Sequence, residues 1–218
     1  MYLNQILLNK KHQGKKLNNY NSYISPYIYI KKKKIFYFNL LILYKLLKIV
    51  SKTINNISKN FGIFLIIDIK NQNLFINNSL KNDKIFYLNN NWYGGLLTNW
   101  KSLKLKIDKI KILEKQLINY NINSIKKNIY TIQKEVNIFN NKFNGIKNMN
   151  KLPDMVIFLN YDNNLLGINE CIKLGIPFIC LFDNNNINPN LILYPLINNF
   201  YLDKNYNNLL KYLINCII

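Results

Sequence analysis

Chemistry in this chain of 218 residues has few places to start, because His12 is its only histidine. A Ser–His–Asp or Cys–His arrangement would depend on that imidazole alone, and no nucleophile elbow accompanies it. Carboxylates offer more. Asp68, Asp162 and Asp183 each fall at or just after an apolar run that reads as a strand, the place where α/β folds set their sites. Converging there, they could bind Mg²⁺ and serve a metal-dependent enzyme of flavodoxin-like fold. The other reading is that polar residues end strands and cap the next helix or turn, as Asp162-Asn163-Asn164 and Asp183-Asn184-Asn185 suggest. No Gly-x-Gly-x-x-Gly follows a strand and no P-loop sequence occurs, so the usual phosphate cradles are missing. Cys171, Cys180 and Cys216 contain no Cys-x-x-Cys pair, which argues against a zinc ribbon and a disulfide framework. The expectation is a protein that is not an enzyme and has no metal, cofactor or small-molecule substrate.

Charge points elsewhere. The formal charge is +20, from 30 Lys and 10 acids. Residues 1–152 hold 27 Lys and 5 acids, whereas residues 153–218 hold 3 Lys and 5 acids. Asn, Ile and Lys make up half of the chain and Ala and Arg are absent, the mark of an A/T-rich organelle genome. Codon bias alone would spread lysine evenly, so the split argues for a polyanion on one side of the molecule, most simply nucleic acid. An anionic membrane is the other option. The longest apolar stretch, 35–50, is interrupted by Asn39, Lys45 and Lys48 and is too short for a bilayer span. No cleavable targeting peptide is evident at the N-terminus, consistent with synthesis inside the organelle. The phosphate-contact candidates are Lys10, Lys11, Lys15 and Lys16 in an irregular basic arm over 1–30, and the block Lys31, Lys32, Lys33 and Lys34. A four-Lys block is also what a plain solvated surface looks like.

The elements that must position these residues alternate. Apolar runs at 35–38, 63–67, 85–88, 155–159 and 178–182 have the β-branched and aromatic content of strands buried on both faces. Helical segments are expected at 41–58, 71–82, 163–174 and 205–216, a rhythm that indicates a doubly wound α/β fold. Residues 98–151 break it. Leu103, Ile107, Ile110, Leu113 and Leu117 form one narrow stripe, and Ile125, Ile129, Ile132, Val136, Phe139 and Phe143 form another. Stripes this narrow suit an antiparallel coiled-coil hairpin inserted between α/β segments 31–97 and 152–218, with two core-covering helices as the alternative. Apolar content of 49% excludes a disordered chain.

One stretch is distinctive. Trp92-Tyr93-Gly94-Gly95-Leu96-Leu97-Thr98-Asn99 resembles the Trp-x-Gly-Gly-x-Leu-Thr-Asn signature of the bacterial-type small-subunit ribosomal protein number two, which in that family precedes a long helical hairpin. Residues 144–154, from Asn144-Gly145-Ile146-Lys147 to Leu152-Pro153-Asp154, are similar to the family's next motif, and Glu170-Cys171-Ile172-Lys173-Leu174-Gly175-Ile176-Pro177 to the one after it. The opening His-Phe-Gly-His of the family is reduced to Lys11-His12-Gln13-Gly14, and its acidic tail is missing. The resemblance implies a structural ribosomal protein with a flavodoxin-like five-stranded parallel sheet, a protruding coiled-coil hairpin, and small-subunit rRNA and neighbouring small-subunit proteins as partners. It looks closer to plastid members of the family than to the bacterial type, so an apicoplast-type reduced plastid is the first compartment and a mitochondrion the second. Trp92, Asn99 and the hairpin-root residues Lys101 and Lys104 join the RNA-binding candidates. For Trp92, stacking on a base competes with core packing.

Overall fold

A computed structural model describes residues 13–16, 22–33, 35–67, 84–88, 92–119, 126–182, 189–197 and 203–218. Two sheets organise them. A small antiparallel sheet of order β1-β3-β2 contains β1 (Gln13–Lys16), β2 (Ile28–Lys32) and β3 (Ile35–Phe38). The larger sheet contains β4 (Phe64–Ile67), β5 (Ile85–Leu88), β6 (Met155–Phe158), β7 (Phe178–Phe182) and β8 (Tyr194–Ile197). Its order is β5-β4-β6-β7-β8 and every neighbouring pair is parallel. Numbered within that sheet the order is 2-1-3-4-5, the flavodoxin-like winding expected of the chain.

The strand residues alternate between two apolar layers, as a period of two requires. Leu65, Phe86, Val156, Phe158, Phe178 and Cys180 face one layer, together with Trp92, Trp100 and Ile168. Phe64, Ile66, Ile157, Ile179 and Leu181 face the other, against helices α1 (Leu40–Lys59) and α5 (Asp203–Ile217). Helix α1 begins where the Asn39 side chain accepts a hydrogen bond from Leu41 N at 3.0 Å. It buries Leu43, Leu47, Val50 and Ile54, one stripe of a 3.6-residue period. Ser58 near its end donates to the carbonyl of Ile217, tying α1 to α5.

Two strand expectations need correction. The run at 35–38 does not enter the parallel sheet but pairs antiparallel with β1 and β2, because the chain reverses through the lysine block immediately before it. The fifth parallel strand is instead β8, at the sheet edge. Pro195 lies within it, and a proline that removes a ladder donor reads as a break in sequence while being tolerated at an edge. The helix expected over 71–82 falls outside the described residues.

Between β5 and β6 lie α2 (Trp100–Asn119) and α3 (Lys126–Phe143). Both stripes turn inward, with Ile107, Ile110 and Val136 buried while Leu105, Ile112 and Tyr130 are exposed. Lys109 pairs with Glu135 at 3.4 Å, and Glu114 accepts from Asn140 at 2.7 Å and from Lys147 at 2.6 Å. Ile107, Leu103, Phe139 and Phe143 also join the apolar layer that contains Trp92, so the root of the helix pair is continuous with the core. Helix α4 (Leu165–Leu174) then precedes β7 and ends at Gly175, whose φ of 67° is the left-handed cap that glycine adopts without strain.

Candidate nucleic-acid interface

The distinctive loop after β5 is built around one carboxylate. Glu170 projects from α4 and is 8% exposed. Its Oε1 accepts from Trp92 Nε1 at 2.8 Å and Gly95 N at 2.7 Å. Its Oε2 accepts from Leu97 N and Thr98 N, both at 3.0 Å, and from Thr98 Oγ1 at 3.1 Å. Two oxygens thus satisfy five donors of the Trp-x-Gly-Gly-x-Leu-Thr sequence. Burial alone would raise the Glu170 pKa, but the hydrogen bonds from Thr98, Trp92, Gly95 and Leu97 outweigh it and hold the carboxyl below its ordinary value. The neighbouring Cys171 thiol is pushed up to about 12 by burial and by the Glu170 charge, which leaves it unreactive at neutral pH.

Each signature residue has a structural task. Gly95 has φ +82°, a backbone conformation that side chains resist, and this aims its N–H at Glu170. The Trp92 ring packs on Phe158, with ring centroids 5.6 Å apart. It also covers Gly167, where an added Cβ would fall 2.5 Å from the indole. Trp92 N donates to Asn164 Oδ1, and Asn164 Nδ2 donates to the carbonyl of Asn160. Trp92 is therefore a core residue, with no open face for a base to stack on. Asn99 is exposed and accepts from Ser102 Oγ at 2.6 Å where α2 begins. Glu170, Asn164 and Gly167 carry this arrangement although none was among the candidate site residues, Asn164 being read only as part of a turn and Glu170 only as part of a motif. The available signal was an acid on the apolar stripe of α4 beside Ile168 and Cys171.

The lysine candidates separate into groups. Lys31 and Lys32 end β2 opposite Phe36 and Ile35, and Lys33 turns the chain at the hairpin tip with φ 48°. Lys31, Lys32 and Lys33 are exposed, and the Lys31 ammonium lies 5.1 Å from the centroid of the Phe36 ring. Lys101 is exposed on the first turn of α2. Lys104 is half-buried. It donates to the carbonyl of Met149 at 3.2 Å and to Asn150 Oδ1 at 3.1 Å, and it lies 3.9 Å from Asp108. Its charge is therefore engaged at the helix root. Lys10, Lys11, Lys34, Asp68 and Asp183, with the side chains of Lys15, Lys16 and Asp162, lie outside the described residues. Among the described residues no group of three His, Cys, Asp or Glu could hold a metal ion, and no helix is long and apolar enough to cross a membrane.

Between α2 and α3 a groove of about 730 Å³ opens beside Gly94 and Gly95. Tyr93, Phe139 and Phe143 pack together in its wall, and Lys106, Lys109, Lys134 and Lys142 line it. The Lys142 ammonium lies 5.6 Å from the Tyr93 ring centroid. The exposed lysines at the hairpin tip and on α2 and α3 can contact phosphates, whereas the signature loop is closed around Glu170.

Comparison with known proteins gives a consistent result. A family model described as Ribosomal protein S2 matches residues 6–218. The chain is similar to the small ribosomal subunit protein uS2c of Trieres chinensis, 34% identical over 199 residues that cover 90% of this chain and 86% of that one. With uS2c of Phaeodactylum tricornutum the identity is 31% over 218 residues, covering 99% and 96%. With the small ribosomal subunit protein uS2 of Wigglesworthia glossinidia brevipalpis it is 33% over 190 residues, covering 86% and 79%.

Proposed function

The chain belongs to the ribosomal protein S2 family, and from that premise we propose that it is a structural constituent of the small subunit of a plastid ribosome. Similarity to uS2c proteins supports the plastid, and the absence of Ala and Arg supports our reading of it as the reduced, apicoplast type. Its partners are small-subunit rRNA and adjoining small-subunit proteins. In this division of work the α/β segments 31–97 and 152–218 form the scaffold. The arm 1–30, the Lys31–Lys34 hairpin and the exposed lysines of 98–151 meet the RNA, and the remainder of the helical insertion meets neighbouring proteins.

The observation that carries the RNA contact is the charge of the first 67 residues. They hold 12 Lys and no Asp or Glu, and the structure places three of those lysines at an exposed hairpin tip. A surface of one sign concentrates phosphates and releases their counterions on binding. Sedimentation of organelle lysate containing a tagged full-length chain tests the proposal. The chain should travel with the small subunit and be released by nuclease. A chain that stays at the top of the gradient, or that sediments unchanged after the RNA is digested, would contradict it.

A further inference from the structure

We propose that the β2–β3 hairpin holds an unpaired RNA base by stacking on Tyr29, with the neighbouring phosphates on Lys31, Lys32 and Lys33. The proposal rests on the rRNA contact of the proposed function and names what this hairpin recognises.

Tyr29 occupies an irregularity in the ladder. Ile28 pairs with Phe38 and Ile30 pairs with Tyr37, so two steps along β2 answer one step along β3 and Tyr29 is the extra residue. A bulge of this kind re-aims a side chain out of the pleat. Tyr29 is 76% exposed, and β2 is an edge of its sheet. An aromatic ring beside several lysines is the combination that binds single-stranded nucleic acid, because every base has a face to stack and every link has a phosphate.

One feature separates this arrangement from a codon relic. Lys33 adopts φ 48°, a backbone region where asparagine and glycine sit more easily than lysine. The composition supplies asparagine more freely than lysine, 43 residues against 30, so bias would favour the easier residue at that turn. Lysine there keeps an ammonium at the tip in spite of the backbone. Lysines on an exposed edge also disfavour the addition of a partner's strand, which makes RNA the better occupant than a peptide.

The test measures affinity of the full-length protein for a short unpaired RNA and for the same oligonucleotide carrying abasic sites. Wild type should prefer the RNA with bases. Tyr29→Ala should weaken that binding by about tenfold or more and abolish the preference, with the salt slope unchanged, whereas Tyr29→Phe should keep both. Tyr130→Ala, which removes another exposed ring flanked by lysines, should leave the preference intact. Lys31, Lys32 and Lys33 changed together to Gln should weaken both oligonucleotides and lower the salt slope. Equal binding of the two RNAs by wild type, a Tyr29→Ala protein like wild type, or equal losses from Tyr29→Ala and Tyr130→Ala would overturn the stacking proposal. If the lysine change alone matters, the rRNA contact stands and stacking falls. If neither change matters, the hairpin does not contact RNA and both readings of it fail.

Discussion

The loop from Trp92 to Thr98 and the hairpin tip at Lys31–Lys33 are both short turns beside a sheet, yet they use their polar groups in opposite ways. The loop directs its indole N–H, three backbone N–H groups and a hydroxyl onto the buried carboxylate of Glu170. The tip leaves three lysines exposed. A sequence can thus be distinctive because a fold requires it, while, under the proposed function, a sequence that looks like composition noise is the one that meets the RNA. Donors gathered on a buried acid contribute to stability, since each would otherwise be desolvated without a partner. Exposed ammonium groups contribute little to stability and much to the attraction of a polyanion.

The comparison breaks most visibly at Glu170. Glu170→Ala should destabilise the fold by about 3 kcal/mol or more, because buried donors lose their acceptor together. Urea unfolding followed by tryptophan fluorescence measures it, and a loss under about 1 kcal/mol would show that the loop stands without the carboxylate. Gly167→Ala comes next. Its Cβ would fall 2.5 and 2.6 Å from indole atoms and 2.8 Å from the Phe158 ring, so a loss of about 1–3 kcal/mol is expected from overpacking. Unchanged stability would mean that the indole can move aside.

Acid sharpens the same contrast by a smaller amount. Glu170 has a lower pKa folded than its ordinary value of 4.5, so the folded chain takes up that proton less readily than the unfolded one. Its contribution is fully present above the unfolded value and is lost as pH falls through the folded one. Thermal unfolding should therefore show a steeper loss of stability below about pH 4.5 in wild type than in Glu170→Gln. Parallel curves would show that other carboxylates set the acid response.

Much of the fold was legible in the sequence because buried parallel strands are near-continuous apolar runs. The runs at 64–67, 85–88, 155–158 and 178–182 are strands with their side chains shared between two apolar layers. Strand β8 was hidden by Pro195, and the run at 35–38 gave no sign of which sheet it would join. The apolar stripes of α2 and α3 showed which sides turn inward, but not that Ile107 and Phe139 belong to the central layer, because a stripe records burial and not the partner. The candidate site was legible as charge and illegible as geometry. Trp92 drew attention by its rarity, while Glu170, which accepts the loop's hydrogen bonds, needed the spatial meeting of two elements 75 residues apart.

The most direct measurement is the affinity of the full-length protein for small-subunit rRNA as salt is raised. Lys31, Lys32, Lys33 and Lys34 changed together to Gln are compared with Lys173, Lys204 and Lys211 changed likewise. The first set should bind more weakly at low salt, with the log–log slope lower by roughly 0.7–0.9 for each phosphate no longer neutralised, and should unfold within about 0.5 kcal/mol of wild type. The second set should do much less, for it lies in the net-acidic third of the chain. Equal losses from the two sets would contradict the account, showing that the lysine-rich hairpin is a relic of composition and that another surface holds the RNA.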